Sequence, residues 1–312
     1  MKILVTGGAG FIGSHLVDAY IEAGHHVIIF DNLSTGVKKN LNPQAKFFAV
    51  DIRSDQASEI FLSEKPDILN HHAAQIRIDV AAKDPITDLE INTIGLLKLL
   101  ESAKNEKFLK KVIFASTGGA MYGHKPTPFT ESMIPQPLSP YGISKRASEL
   151  YLYFYKEAHH LPYTALRYAN VYGPRQNPYG EAGVISIFCA KLLTGKTPII
   201  NGDGLQTRDY VFVADVVRAN TFATEKDVGG EFNIGTGKET NVNEIYALVA
   251  KNLNLSVVAK HGPPRSGEQK TSSLDSSKAK LELGWEPTVP LEEGIAQTTA
   301  FFKSFTRRPS AA

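Results

Sequence analysis

The sequence predicts an α/β fold, a doubly wound parallel sheet followed by a smaller and more irregular α/β domain. Three observations predict it. A glycine turn at Gly7, Gly10 and Gly13 joins an apolar strand to a helix near the N-terminus. Short apolar runs then alternate with helical patterns as far as Ala115, the rhythm of parallel strands covered by helices on both faces. Small or polar residues (Gly7, Asp31, Ala73, Ser116) fall where four of those runs end, and in an open parallel sheet ligands sit beyond the carboxyl ends of the strands.

In chain order, Ile3 to Val5 is the first strand, and from Phe11 and Ile12 the apolar positions take up a helical spacing. Strand, glycine turn and helix in that order form a site for a dinucleotide phosphate. The first glycine permits the turn, the second lets backbone approach the anion, and the third lets helix pack on strand. Gly24 ends the helix and His26 to Phe30 form the second strand. Asp31, with Asn32 beside it, closes that strand 24 positions after Gly7. A carboxylate there accepts from ribose hydroxyls and repels a 2′-phosphate, which favours NAD over NADP. Lys46 to Val50 is the third strand. Asp51, before Ile52, either bonds an adenine amino group or caps a helix over Ser54 to Ser63. Asp67 to Asn70 is the fourth strand, and the small residues Ala73 and Ala74, before Gln75, allow a cofactor to come close. Asp84-Pro85 reads as N-cap and first position of a helix running to about Asn105, apolar on more than one face, with Asn92 a polar exception. Lys111 to Ala115 is the fifth strand, ending in Ser116, Thr117, Gly118 and Gly119.

Ser139-Pro140 opens a further helix, which puts Tyr141 and Lys145 at i and i+4 on one face. An ammonium ~5 Å from a phenol contributes about 3 kcal/mol toward the phenolate at an effective dielectric of ~20. That is roughly two pH units, so the spacing predicts a tyrosine base working near neutrality.

With 42% apolar and 21% charged residues, the chain reads as an ordinary globular protein. A net charge of +2 gives no reason to expect a nucleic-acid or membrane partner. No apolar run approaches the ~20 residues of a membrane span. Met1-Lys2 lead straight into the first strand, and the single cysteine, Cys189, suits a reducing compartment; the expected location is cytoplasmic. The histidine pairs have the spacing of no common metal site, so no metal is expected. The expected division is a Rossmann-type NAD-binding domain over residues 1–173, with 209–234 returning to it, and a smaller substrate domain from 174–208 and 235–312.

TGGAGFIGSHLV, DNLSTG, HHAAQ, FASTGGAMYG, SPYGISK and RYANVYGPRQ together resemble the extended short-chain dehydrogenase/reductases. Within them the chain is similar to the 4-epimerases of UDP-glucose and UDP-galactose, over nearly its whole length. The resemblance implies reversible 4-epimerisation of a UDP-hexose through a 4-keto sugar, with tightly held NAD. It implies Tyr141 as base and Lys145 as its partner on the nicotinamide ribose. Asn92, counted with the cofactor-binding residues, shapes the active-site helix and its water chain, and Tyr168 lies beside the nicotinamide. Asn170, Arg208 and Arg265 meet the diphosphate, and Glu268 the uridine ribose. Ser272 stands at the position that gates the sugar's 2-substituent, where a small residue leaves room for an acetamido group. The sequence departs from the pattern at Gly118, a sugar-facing position that usually carries a hydroxyl; Thr117 next door, or water, takes its place. Gly118-Gly119 also stand where dehydratases and decarboxylases carry an acid, which argues against those reactions. Epimerases of UDP-glucuronate or of N-acetylated sugars remain open, as does a catalytically silent NAD-binding module. A homodimer is expected through the helices of residues 84–105 and 140–158.

Overall fold

The structure, a computed structural model, describes residues 1–179, 183–264 and 269–306. The chain opens as β1 (Lys2–Thr6), α1 (Phe11–Glu22), β2 (His26–Asp31), β3 (Lys46–Ala49), α2 (Asp55–Glu64) and β4 (Ile68–His71). It continues through α3 (Ile78–Lys83), α4 (Pro85–Leu89), a π-helical turn (Glu90–Ile94) and α5 (Gly95–Ala103) to β5 (Lys111–Thr117), α6 (Pro140–His159) and β6 (Tyr163–Tyr168). The remainder comprises β7 (Asn170–Tyr172), α7 (Val184–Leu193), β8 (Ile199–Asn201), β9 (Thr207–Phe212), α8 (Val213–Glu225) and β10 (Gly230–Ile234). It ends with β11 (Glu239–Asn241), α9 (Val242–Leu253), β12 (Lys260–Gly262), a second π-helical turn (Ala279–Leu283) and α10 (Leu291–Thr306).

Seven strands form the main sheet in the order β10-β6-β5-β4-β1-β2-β3, and every pairing is parallel. This is the doubly wound, Rossmann-type sheet the sequence predicts, with β6 and β10 added beyond the fifth strand. The strand alternation is visible in β1. Ile3 and Val5 join Leu16 and Val17 of α1 and Val216 and Ala219 of α8 on one face. Leu4 joins Phe61 of α2, Leu96 and Leu99 of α5 and Leu152 of α6 on the other. A third cluster, including Phe188 and Cys189 of α7 and Ile245 and Val249 of α9, forms the smaller α/β part. Its strands pair as β11-β9-β7 and β12-β8. Thus β9 stands outside the main sheet, while β10 lies at its edge.

Local chemistry sets the helix starts. The Ser139 hydroxyl accepts from Gly142 N ahead of Pro140, and Asp84 accepts from Thr87 N ahead of Pro85. Ser54, not Asp51, caps α2, accepting from Ala57 N. The Asp51 carboxylate instead takes the Arg53 guanidinium and Asn32 Nδ2 at 3.1 Å. The helix predicted after Asp84 is interrupted by its π-turn at Asn92, which turns this amide inward. Opposite the core, Ile86, Leu89 and Ile94 are exposed, as are Ile143, Leu150 and Phe154 of the neighbouring α6.

Candidate active site

A cavity of about 420 Å³ runs along the carboxyl ends of the main-sheet strands, from the glycine turn to Tyr141 and Asn170. Gly7 has φ +70°, and a Cβ on it would lie 2.8 Å from Ala73 N. A Cβ on Gly13 would lie 2.2 Å from Gly7 O, so α1 can approach the turn only through glycine. A Cβ on Gly10 would meet only Gly7 O, at 3.1 Å; its other side is open. The turn is therefore a cradle that side chains would fill, which fits a dinucleotide's phosphates.

At the far end of the turn Asp31 lines the cavity, its carboxylate accepting from Ala9 N at 3.0 Å and Leu33 N at 2.7 Å. Burial pushes its pKa up, against those two bonds. Phe11, Ile12, Asn32, Asp51, Ile52, Ala73, Ala74 and Gln75 also border the cavity. The structure thus brings these predicted cofactor residues together. Asn92 is the exception. It is fully buried behind the wall, where its side chain accepts from Gln75 N and donates to Gln75 O, both at 2.9 Å. It holds the Gln75 loop rather than bordering the cavity.

At the other end stand Tyr141, Lys145, Ser116, Thr117 and Tyr168. The Thr117 hydroxyl accepts from Ala120 N at 3.2 Å and is the neighbour that eases ionisation of the Tyr141 phenol. Lys145 is buried; its ammonium donates to Ala115 O at 2.9 Å and lies 6.0 Å from the centre of the Tyr141 ring. Burial brings that ammonium down to about 8. The expected depression of the phenol by Lys145 is not what the protein's own groups produce. Burial raises Tyr141, the Asp88 charge raises it further, and only the Thr117 hydroxyl opposes them. Desolvation of the phenolate outweighs a lysine whose ammonium is turned toward a backbone carbonyl. The Ser116 hydroxyl is committed to Glu149 at 2.7 Å. Tyr168 OH accepts from Asn220 at 2.8 Å and contacts His72 Nε2 at 3.0 Å.

The predicted sugar-side residues are divided. Asn170 borders the cavity. Gly118 does not face it: a Cβ there would lie 2.4 Å from Leu274 Cδ1. The hydroxyl that reaches the site belongs to Thr117, the last residue of β5. Counting along the motif chose position 118, but the strand ends one residue earlier and the chain then turns toward Leu274. Arg208 donates to Thr207 O at 2.7 Å, beyond the cavity rim. Ser272 is 3% exposed and is not among the described residues bordering the cavity. Arg265 and Glu268 lie outside the described residues.

Sequence reasoning missed three buried charges around the pair. Glu149 and Arg167 form a two-pronged bond at 2.9 and 2.7 Å behind Ser116. Asp88, 1% exposed, sits beneath α6. Arg167 interrupts an apolar strand, while Asp88 and Glu149 stand among other polar letters, and nothing local separates the three from surface charges.

Parallel sheet, glycine cradle and a Tyr141–Lys145 pair at the end of the fifth strand are the marks of an extended short-chain dehydrogenase/reductase. A family model described as the NAD dependent epimerase/dehydratase family matches residues 3–235, and the chain belongs to that family. It is similar to a UDP-glucose 4-epimerase from Thermotoga maritima, solved with UDP-glucose: 48% identity, TM-score 0.95, covering 98% of this chain and 99% of that one. It is also similar to a UDP-glucose 4-epimerase from Thermus thermophilus in complex with NAD, at 40% identity and TM-score 0.92 over 97% and 99%. A UDP-N-acetylglucosamine 4-epimerase from Methanobrevibacter ruminantium, in complex with UDP-N-acetylmuramic acid, matches at 35% identity and TM-score 0.91 over 97% and 98%.

Proposed function

We propose that this protein interconverts UDP-hexoses that differ at C4, UDP-glucose and UDP-galactose first among them, with NAD as resident cofactor. The single observation that supports this most is that Tyr141, Thr117 and Lys145 border one end of a cavity whose other end is the glycine cradle and Asp31. Gly7, Gly10 and Gly13 would hold the pyrophosphate, Asp31 the adenosine ribose, and Lys145 the nicotinamide ribose. Bound NAD supplies the hydride acceptor and donor for the sugar's C4. Tyr141 takes the proton of the 4-hydroxyl and returns it to the epimer. Thr117, at the same end of the cavity, offers that hydroxyl a hydrogen-bond partner beside the phenol. Lys145, charged below about 8, adds the positive charge that favours phenolate once the site excludes water.

Asn170 and Arg208, with Arg265, are proposed for the sugar diphosphate, and Glu268 for the uridine ribose. Ser272 is proposed as the gate for the sugar's 2-substituent, its small size admitting N-acetylated hexoses. The exposed apolar face shared by α4, the first π-turn and α6 supports a homodimer.

The test incubates the protein with UDP-glucose, UDP-galactose, their N-acetylated forms and UDP-glucuronate and identifies products by NMR. A C4 epimer of a hexose supports the proposal. Conversion of UDP-glucuronate alone moves the substrate, and conversion of none sinks the enzyme reading.

A further inference from the structure

Asp88 is a costly residue to bury. It is 1% exposed on a short helix, and its hydrogen-bond donors are neutral: Gln75 Nε2 at 2.9 Å, Asn92 Nδ2 at 3.0 Å and the Ser144 hydroxyl. An apolar residue or an amide would fit such a place at lower cost, because an ionised carboxylate gives up far more hydration on burial. Among the described residues Asp88 has no cation within ion-pair distance. Its position is not arbitrary. Ser144 lies between Tyr141 and Lys145 on α6, and Gln75 borders the cavity.

We propose that Asp88 is a positioning residue for the Tyr141–Lys145 pair: from α4 its carboxylate ties Ser144 to Asn92 and Gln75, and it sets a negative charge against both members of the pair. The inference rests on the reading of that pair as the acid–base machinery. Neighbouring bonds build the same seam. Thr93 donates to Ser144 O at 3.0 Å, and Ser148 donates to Asn92 O at 2.9 Å. Rotation of α6 about its axis would therefore break contacts to α4 and to the π-turn together.

The charges facing the pair from each side leave Asp88 a distinct part. On α6 itself Glu149 is matched by the Arg167 fork and by Arg146. From β4 and the loop after it come His71 and His72, both held far toward neutrality by burial and by Lys145. From β5 come no charges: the Thr117 hydroxyl, the Ala115 carbonyl and the face of the Phe114 ring, whose centre lies 4.8 Å from the Lys145 ammonium. Asp88 then acts in two directions. Ahead of Glu149 it supports the proton on Lys145 against burial, and without Glu149 it opposes loss of the proton from Tyr141. Both effects keep the pair protonated to higher pH than its position in the fold would otherwise allow.

Asp88→Asn removes the charge and preserves the shape, since the amide can donate to Ser144 while its oxygen keeps the other two bonds. The full chain, with lysines labelled at the ε-carbon and the Lys145 signal assigned through Lys145→Met, is titrated by NMR. The native midpoint falls near 8. In Asp88→Asn it drops by about one pH unit; in Ser144→Ala, which keeps the charge, it stays in place. An unchanged midpoint in folded Asp88→Asn overturns the proposal. Turnover supplies the second arm. Ser144→Ala loses roughly tenfold in kcat through misplacement of the pair, with KM little changed and the pH profile unmoved. Native kcat in Ser144→Ala overturns the positioning claim even where Asp88→Asn fails to fold. The lysine titration needs neither sugar nor cofactor, so it stands or falls separately from the proposed reaction.

Discussion

At Tyr141 two opposing effects meet, and their balance is the chemistry. Burial and Asp88 raise the phenol, whereas a phenolate base is what the reaction needs. The i, i+4 spacing was legible in the sequence, but the direction of the Lys145 ammonium was not, because its acceptor, Ala115 O, belongs to another strand. Tyr141→Phe should lower kcat at least a thousandfold while dinucleotide binding, followed by fluorescence, stays within a few-fold of native. Near-native turnover would remove Tyr141 from its role. Gly118 carries a second prediction. Its departure from the family pattern is resolved by Leu274, which is fully buried and whose N–H is held by Asp209 at 3.2 Å. Gly118→Ser should destabilise by about 1–3 kcal/mol in urea unfolding without raising activity, and Leu274→Ala should recover part of that loss. A stable, faster Gly118→Ser enzyme would show that position 118 faces the sugar after all. Ser272→Tyr should depress kcat/KM for UDP-N-acetylglucosamine relative to UDP-glucose, and an unchanged ratio would displace the gate.

The elements were legible to different degrees, and for physical reasons. Strands β1 to β5 announce themselves by apolar runs that end in glycine or polar residues, and α6 by Ser139-Pro140. Strand β6 did not stand out: all six of its residues are buried, yet Thr164 and Arg167 interrupt its apolar pattern, each with a partner far along the chain. The π-turn has no sequence signature, since its geometry follows from bringing Asn92 inward to Gln75. The helix pair α4–α6 does carry a readable surplus. Ile86 is 72% exposed, and Ile143 and Leu150 are more than half exposed, a pattern that costs solubility unless covered. The chain should sediment as a dimer at micromolar concentration, and Leu150→Glu with Phe154→Glu should yield a monomer. A monomeric native protein would leave this face to another partner.

For the molecule as a whole, the parallel sheet and its ligand edge were foreseeable from alternation alone; of the residues 209–234 expected to return to it, β10 reaches the sheet's edge while β9 pairs in the smaller part. The buried centre also sets a pH limit on stability. His71 is fully buried, its Nδ1 bonded to Thr6, and burial holds its pKa well below 6.5. The unfolded chain therefore takes up a proton that the folded one refuses, and stability falls as pH drops below 6.5. Each pH unit through that window costs about 1.4 kcal/mol for this one group. Urea unfolding at pH 7 and pH 5 should show the loss, and His71→Gln should reduce it by this one group's share, the buried His72 still contributing; equal slopes in both proteins would assign the acid sensitivity elsewhere.

The most direct measurement of the proposed reaction follows one atom. UDP-glucose deuterated at C4 is incubated with the protein in ordinary water, and the product is read by NMR. The account predicts UDP-galactose with the deuterium retained at C4, because hydrogen leaves that carbon and returns to it without meeting solvent. UDP-galactose that has exchanged its C4 deuterium for hydrogen from water, or deuterated UDP-glucose recovered unconverted, would contradict it.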